Sequence, residues 1–336
     1  MALKTILTMM LPLAFACSGG EASQNNAVAA EAPASPLQQL ADRAKPGTLG
    51  VAILDLQTGQ MQGLNADKPM PMQSVFKLPL GIFVFHKAAE GAFSLDEKIT
   101  LTEDDISPLY SPITDRFAEK KVYTIEELVE VTVAQSDNAA ADLLMKRVGG
   151  PEALTRFFQE RGFEDFRVDR YEYEMQPQSV GAPAIQPRMT REQYSALRQT
   201  VPLDRQQAAM TLYLADPRDR VSPATATRML AALDAGKLLS PELTKKMMAI
   251  LEGTTSGPAR LKAGIPEGAK LYHKTGTGAT VDNVNGATND IGIIALPNGR
   301  KLAVAAFLAG STLPNEQREA VLAEVARIAT KGAGAR

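Results

Sequence analysis

Apolar runs and polar breaks divide the chain into strand-like stretches near both ends and helix-like stretches between them. Ser35-Pro36 opens a helix over Leu37 to Ala44 that Pro46-Gly47 stops. Leu49 to Leu54 and Met61 to Leu64 flank Gln57-Thr58-Gly59, the pattern of a β-hairpin. A helix is predicted from about Ser74 to Glu90, with Gly91 at its C-cap. Another begins at Thr124, where Glu127 completes a capping box, and a third covers Asn138 to Val148 before Gly149-Gly150. Strands return at Lys270 to Thr275, Asp290 to Leu296 and Leu302 to Ala309, the last two joined by the Pro297-Asn298-Gly299 turn. The closing helix, Asn315 to Thr330, sets Val321, Val325 and Ile328 on one face. The fold class expected is α/β plus all-α: an antiparallel sheet built from both chain ends and flanked by helices, with a helical subdomain inserted and a cleft where the two meet.

The first residues read as an export signal. Met1 to Lys4 give a positive start, Thr5 to Ala16 an apolar stretch too short to span a bilayer, and Ala14-Phe15-Ala16 a small-x-small cleavage pattern. Residues 1–16 are thus expected to be a signal peptide and 17–35 an Ala/Ser/Asn/Pro-rich tether that cannot bury a core. Residues 36–332 form the catalytic domain, its α/β part at about 36–72 and 250–332 and its helical part at about 73–249. Cys17, at the cleavage point, resembles the lipidated Cys of a bacterial lipoprotein; plain cleavage beside an incidental Cys is the competing reading. Either way the expected location is the periplasm, with membrane attachment only through Cys17.

Composition narrows the chemistry. With 36 basic and 38 acidic residues the net charge is −2, which argues against nucleic acid as a partner. One Cys forbids an intrachain disulfide. Two His, His86 and His273, make a His-rich zinc site improbable, so no metal and no cofactor are expected. No GxSxG elbow occurs. Nucleophilic chemistry here would therefore use Lys or a carboxylate as base.

Three short motifs supply candidates. Ser74-Val75-Phe76-Lys77 is S-x-x-K at a helix start, where positions i and i+3 share a face and the amine can approach the hydroxyl. Alone it is weak, since average composition yields about one such match by chance in a chain this long. Ser136-Asp137-Asn138 lies between two helices, where capping by Asp137 is an equally good reading. Lys274-Thr275-Gly276-Thr277-Gly278 reads as a strand end entering a glycine-rich turn. Each tripeptide occurs by chance in roughly one such chain in ten, so the three together in this order carry far more weight than any one.

S-x-x-K, S-D-N and K-T-G in that order are the signature of serine penicillin-recognising enzymes. With Pro71 to Leu78, His273 to Thr277, Ala287-Thr288-Asn289-Asp290 and Leu296 to Gly299, the chain after residue 36 resembles class A β-lactamases, in the branch with extended-spectrum enzymes. That resemblance implies Ser74 as nucleophile, Lys77 as a base assisting it, and Ser136 passing a proton to the departing nitrogen. It gives Lys274, Thr275, Gly276 and Thr277 to the substrate carboxylate and oxyanion region, Asn138 to the substrate amide, and Tyr110 to the cleft wall, with a partly exposed loop Tyr as the alternative. Arg170 to Gln176 resembles the family's omega loop, which makes Glu172 the deacylating base over Glu174 and pairs Arg170 with Asp219 as an exposed pair worth little energy.

Three departures from the family pattern stand out. Gln176 replaces the usual Asn that helps hold the hydrolytic water. The loop is far longer than usual, with an insertion at about 177–215 that looks helical from Thr190 to Leu214 and reads either as a neutral surface insertion or as a lid. Ile291 falls where a strand-borne Arg commonly sits, leaving Arg260 as the substitute carboxylate binder, with a solvated surface Arg as the alternative. The two His are expected to be bystanders, His273 turned away from Lys274 by strand alternation. The expected activity is β-lactam hydrolysis on a small-molecule substrate by a protein taken as a monomer. A D,D-peptidase and an acylated sensor or wall-binding lipoprotein are the alternatives.

Overall fold

The structure, a computed structural model, describes residues 34–333, and Ser35 onward forms one compact unit. Cys17, the signal segment and all but the end of the tether lie outside the described residues.

Helix α1 (Pro36–Arg43) is capped by Ser35, whose hydroxyl accepts from Gln38 N, and it leads into strands β1 (Thr48–Asp55) and β2 (Met61–Leu64). Short strand β3 (Met70–Pro71) runs into a 3-10 turn, Gln73–Phe76, and then helix α2 (Lys77–Ala89). Ser74 thus sits in the tighter turn ahead of the α-helix, a correction to the single helix expected from Ser74. Strand β4 (Lys98–Thr100), helix α3 (Pro112–Asp115), strand β5 (Val122–Thr124) and helices α4 (Ile125–Ala134), α5 (Asn138–Arg147) and α6 (Gly150–Gln159) complete the helical body. The capping box of α4 is present as expected: Glu127 N donates to Thr124 Oγ1 at 3.1 Å and Thr124 N to Glu127 Oε2 at 2.8 Å.

The omega loop carries helix α7 (Glu172–Ser179), and the insertion folds as α8 (Arg191–Gln199) and α9 (Leu203–Ala215). These are two helices rather than one, because Pro202 lacks the N–H that would continue the helix and serves as the N-cap of α9. Then follow β6 (Arg220–Val221), α10 (Pro223–Asp234), α11 (Pro241–Glu252), β7 (Lys270–Thr277), β8 (Thr280–Val281), β9 (Val284–Asn285), β10 (Thr288–Ala295), β11 (Lys301–Ala309) and α12 (Asn315–Ala333).

The main sheet runs β2-β1-β11-β10-β7, so strands from the two chain ends are neighbours. All its pairings are antiparallel, with Val51 opposite Ala306 and Ile291 opposite both Ala305 and Lys274. Alternation sends Leu302, Val304, Ala306 and Leu308 of β11 into one core with α1 and α12, and Ala303, Ala305 and Phe307 into the other with α10 and the helical body. Both faces are covered, which is why β11 reads as a nearly unbroken apolar run and β10 is apolar from Ile291 onward. Among the described residues no helix is long and apolar enough to cross a membrane.

Candidate active site

The site forms where the 3-10 turn at Gln73–Phe76 meets strand β7, the α4–α5 junction and the start of α7. Gly276 lets strand and turn come together: a Cβ there would collide with the Met72 carbonyl oxygen and lie 3.2 Å from Val75 N.

Lys77 is fully buried and gathers four groups. Its ammonium donates to Ser74 Oγ at 3.2 Å and to Ser136 O at 2.9 Å, makes a short hydrogen bond to Asn138 Oδ1, and lies 3.0 Å from Glu172 Oε1. Lys274, equally buried, donates to Ser136 Oγ at 3.0 Å and Thr275 O at 2.9 Å. Burial, reinforced by the Lys77 charge, holds the Lys274 ammonium well below the ordinary lysine range. Two buried lysine amines thus bracket two half-buried serine hydroxyls, an arrangement suited to moving protons without histidine.

Ser136 has φ +61°, the left-handed region that non-glycine residues seldom occupy. Such a conformation persists only where its surroundings dictate it, and here the two lysines hold both the carbonyl and the hydroxyl of Ser136. Asp137 does cap α5, accepting from Ala140 N, and also holds Ser111 Oγ and Ile113 N, which ties the loop of Tyr110 to the motif. Tyr110 itself is 59% exposed, and its carbonyl accepts from Asn138 N at 3.2 Å.

Glu172 is fully buried at the first turn of α7. Its Oε2 accepts from Gln176 Nε2 at 2.8 Å, and the same amide nitrogen donates to Gln73 Oε1 at 3.1 Å. Glu174 instead turns back to cap its own helix, accepting from Tyr171 N at 3.0 Å, so of the two carboxylates only Glu172 faces Lys77. The loop is closed by Arg170, whose Nε lies 2.6 Å from Asp219 Oδ2 and whose Nη1 donates to Gln178 Oε1 at 3.0 Å. This pair is not the exposed one expected: the two side chains are only 5% and 11% accessible.

Arg260 is buried too, which removes the reading of a solvated surface residue. Its guanidinium donates to Thr277 Oγ1 at 2.8 Å and to the carbonyls of Gly276 and Asn289, and pairs with Glu319 at 3.1 Å. Ile291, across from Lys274, contributes no charge. His273 points to the opposite face, where Nδ1 lies 2.9 Å from Asp290, and His86 pairs with Glu90 far from the cleft.

Three participants were missed. Asp142 accepts from Glu172 N at 2.8 Å and Tyr173 N at 3.2 Å and so seats the first turn of α7. Burial, with the Glu172 charge second, pushes its carboxyl up to about 8. Its place four residues after Asn138, on the same helix face, was the available signal. Ser256 Oγ lies 2.5 Å from Thr275 Oγ1, and Gln73 connects the nucleophile's turn to Gln176; Ser256 belongs to no motif, and Gln73, though within the Pro71 to Leu78 run, was given no role there.

The profile of the Beta-lactamase enzyme family matches residues 32–333. Relatives include Beta-lactamase VEB-1 of Pseudomonas aeruginosa, 28% identical with 85% of each chain covered. The β-lactamase of Streptomyces albus G is 30% identical, covering 97% of this chain and 92% of its own. Among solved structures, the class A β-lactamase of the last common ancestor of Gram-negative bacteria superposes with a TM-score of 0.72 at 34% identity, over 88% of this chain and 97% of that one. A β-lactamase from Chitinophaga pinensis DSM 2588 gives 0.71 at 30%, over 89% and 98%. The chain belongs to the β-lactamase enzyme family, as a class A serine β-lactamase.

Proposed function

We propose that the protein hydrolyses β-lactam antibiotics through an acyl-enzyme on Ser74, with Lys77 and Glu172 as the working bases. The observation that carries this is the array of half-buried Ser74 with fully buried Lys77 and Glu172, in which one ammonium lies 3.2 Å from the hydroxyl and 3.0 Å from the carboxylate.

In acylation the Ser74 oxygen attacks the lactam carbonyl and its proton leaves toward the Lys77–Glu172 pair. Backbone N–H groups of Ser74 and Thr277 face the developing oxyanion, an interaction worth about 3–4 kcal/mol where it has been removed from other hydrolases. Ser136, poised by Lys274, delivers a proton to the ring nitrogen as the C–N bond breaks. The substrate carboxylate is drawn to Lys274, Thr275 and Thr277, with Arg260 behind Thr277, and Asn138 holds the side-chain amide beside Tyr110. In deacylation Glu172 takes a proton from water, which attacks the ester carbonyl and frees Ser74. Gln176 keeps the amide function beside Glu172 that this step needs.

On the same reading the enzyme is exported to the periplasm, supported by the signal-like first residues, and Cys17 is the point where a lipid would anchor it. The test is turnover of a chromogenic cephalosporin by purified protein beside Ser74→Ala. Sustained turnover that Ser74→Ala abolishes supports the proposal; one stoichiometric burst would sink it in favour of an acylated sensor.

A further inference from the structure

The inserted helix α9 reaches the catalytic base through side chains. Its Tyr213 is buried among Met175, Val180, Met210 and Val281, so the insertion has a core of its own against the omega loop and the β8–β9 hairpin. Gln207 on the same helix donates to Asp282 of that hairpin at 2.6 Å, and Arg220 caps the end of α9 by donating to the carbonyls of Tyr213 and Leu214. The Tyr213 hydroxyl accepts from Gln73 Nε2 at 2.6 Å. Gln73 Oε1 accepts from Gln176 Nε2 at 3.1 Å, and that nitrogen donates to Glu172 Oε2 at 2.8 Å.

The polarity of this chain is fixed from one end. An ionised carboxylate only accepts, so Gln176 must turn its NH2 group toward Glu172. The same NH2 group then requires an oxygen from Gln73, and Gln73 must turn its own NH2 group outward, where it meets the Tyr213 hydroxyl at 2.6 Å and Met175 Sδ at 3.5 Å. Without the tyrosine oxygen, a buried amide donor keeps only a sulfur, and the other amide orientation sets donor against donor at Gln176.

We propose that Tyr213 is a positioning residue for deacylation, holding Gln73 and through it Gln176 and Glu172, so that the inserted helices are part of the hydrolytic machinery. This rests on Glu172 being the deacylating base. A purely structural tyrosine would matter for its ring; a positioning one matters for its oxygen.

The experiment compares wild type, Tyr213→Phe, Gln73→Asn, the double variant, Glu172→Gln and the surface control Leu212→Ala, using stopped-flow acylation by a chromogenic cephalosporin and intact mass spectrometry of the adduct. Asparagine suits the φ of +47° at position 73 but is one methylene too short for the chain. Expected for Tyr213→Phe are an unchanged acylation rate, a thermal midpoint about 2–4 °C lower, the size of one lost buried hydrogen bond of about 1 kcal/mol, a deacylation rate at least about fivefold lower, and visible adduct. The double variant should be no slower than Gln73→Asn alone. Deacylation at the wild-type rate in Tyr213→Phe or Gln73→Asn, while Glu172→Gln traps adduct, overturns the proposal, as do additive losses in the double variant. If Glu172→Gln deacylates normally, the base assignment falls and the proposal with it.

Discussion

Replacing Asp219 by Asn removes the negative charge from a buried ion pair while keeping its shape. Arg170 would remain buried with Asp216, at 3.4 Å, as its nearest carboxylate. Breaking a buried pair by neutralising one partner costs about 3–5 kcal/mol, and the lower end applies here because Asp216 retains part of the attraction. For a body of this size each kcal/mol moves the thermal midpoint by roughly 2–4 °C, so Asp219→Asn should melt about 6–12 °C below wild type. Asp219→Ala should fall further, because the N–H groups of Asp169, at 2.7 Å, and Arg170, at 3.2 Å, lose their acceptor as well. The loop also carries Glu172, so deacylation should slow more than acylation. Circular dichroism melts and single-turnover kinetics on the same preparations measure both. A midpoint within about 2 °C of wild type would refute the reasoning, showing that the pair is solvated in practice and its energy screened.

Two further outcomes follow from the same geometry. Because burial raises the Asp142 carboxyl to about 8, the folded state binds more protons than the unfolded chain between about pH 4 and 8. The stability tied to that proton is fully present below about pH 4 and is lost as pH rises to 8. Asp142→Asn should therefore flatten the fall in urea-unfolding stability over this window, and an unchanged slope would count against the buried titration. Arg260→Ala should raise KM for substrates bearing the free carboxylate by about tenfold with a smaller change for their esters; an equal loss for both would mean that Arg260 serves only packing.

How far the sequence carried can be read from particular residues. Thr124 with Glu127 announced a helix start that the structure reproduces, because a capping box is a contact between residues three apart and is encoded locally. The apolar stretches at 291–296 and 302–309 likewise announced strands. Ser74, Lys77, Ser136 and Lys274 were found by motif, and the structure brings them within hydrogen-bond reach across the fold. What stayed hidden depends on what covers a residue. Arg170 and Asp219 read as surface charges because burial is set by packing between distant segments, which no local pattern reports. Tyr213 and Gln73 meet across 140 positions of sequence, and no periodicity signals such a contact. The break at Pro202 was legible in principle, since a proline inside a helical stretch is a stop signal.

The central claim is that Ser74 is acylated and that Glu172 releases it. Glu172→Ala mixed with a penicillin and followed by intact and peptide-level mass spectrometry tests this most directly. The account predicts a persistent adduct of one penicillin mass on the peptide containing Ser74, while wild type under the same conditions returns to free enzyme. Normal turnover by Glu172→Ala, or an adduct on any other residue, would contradict it.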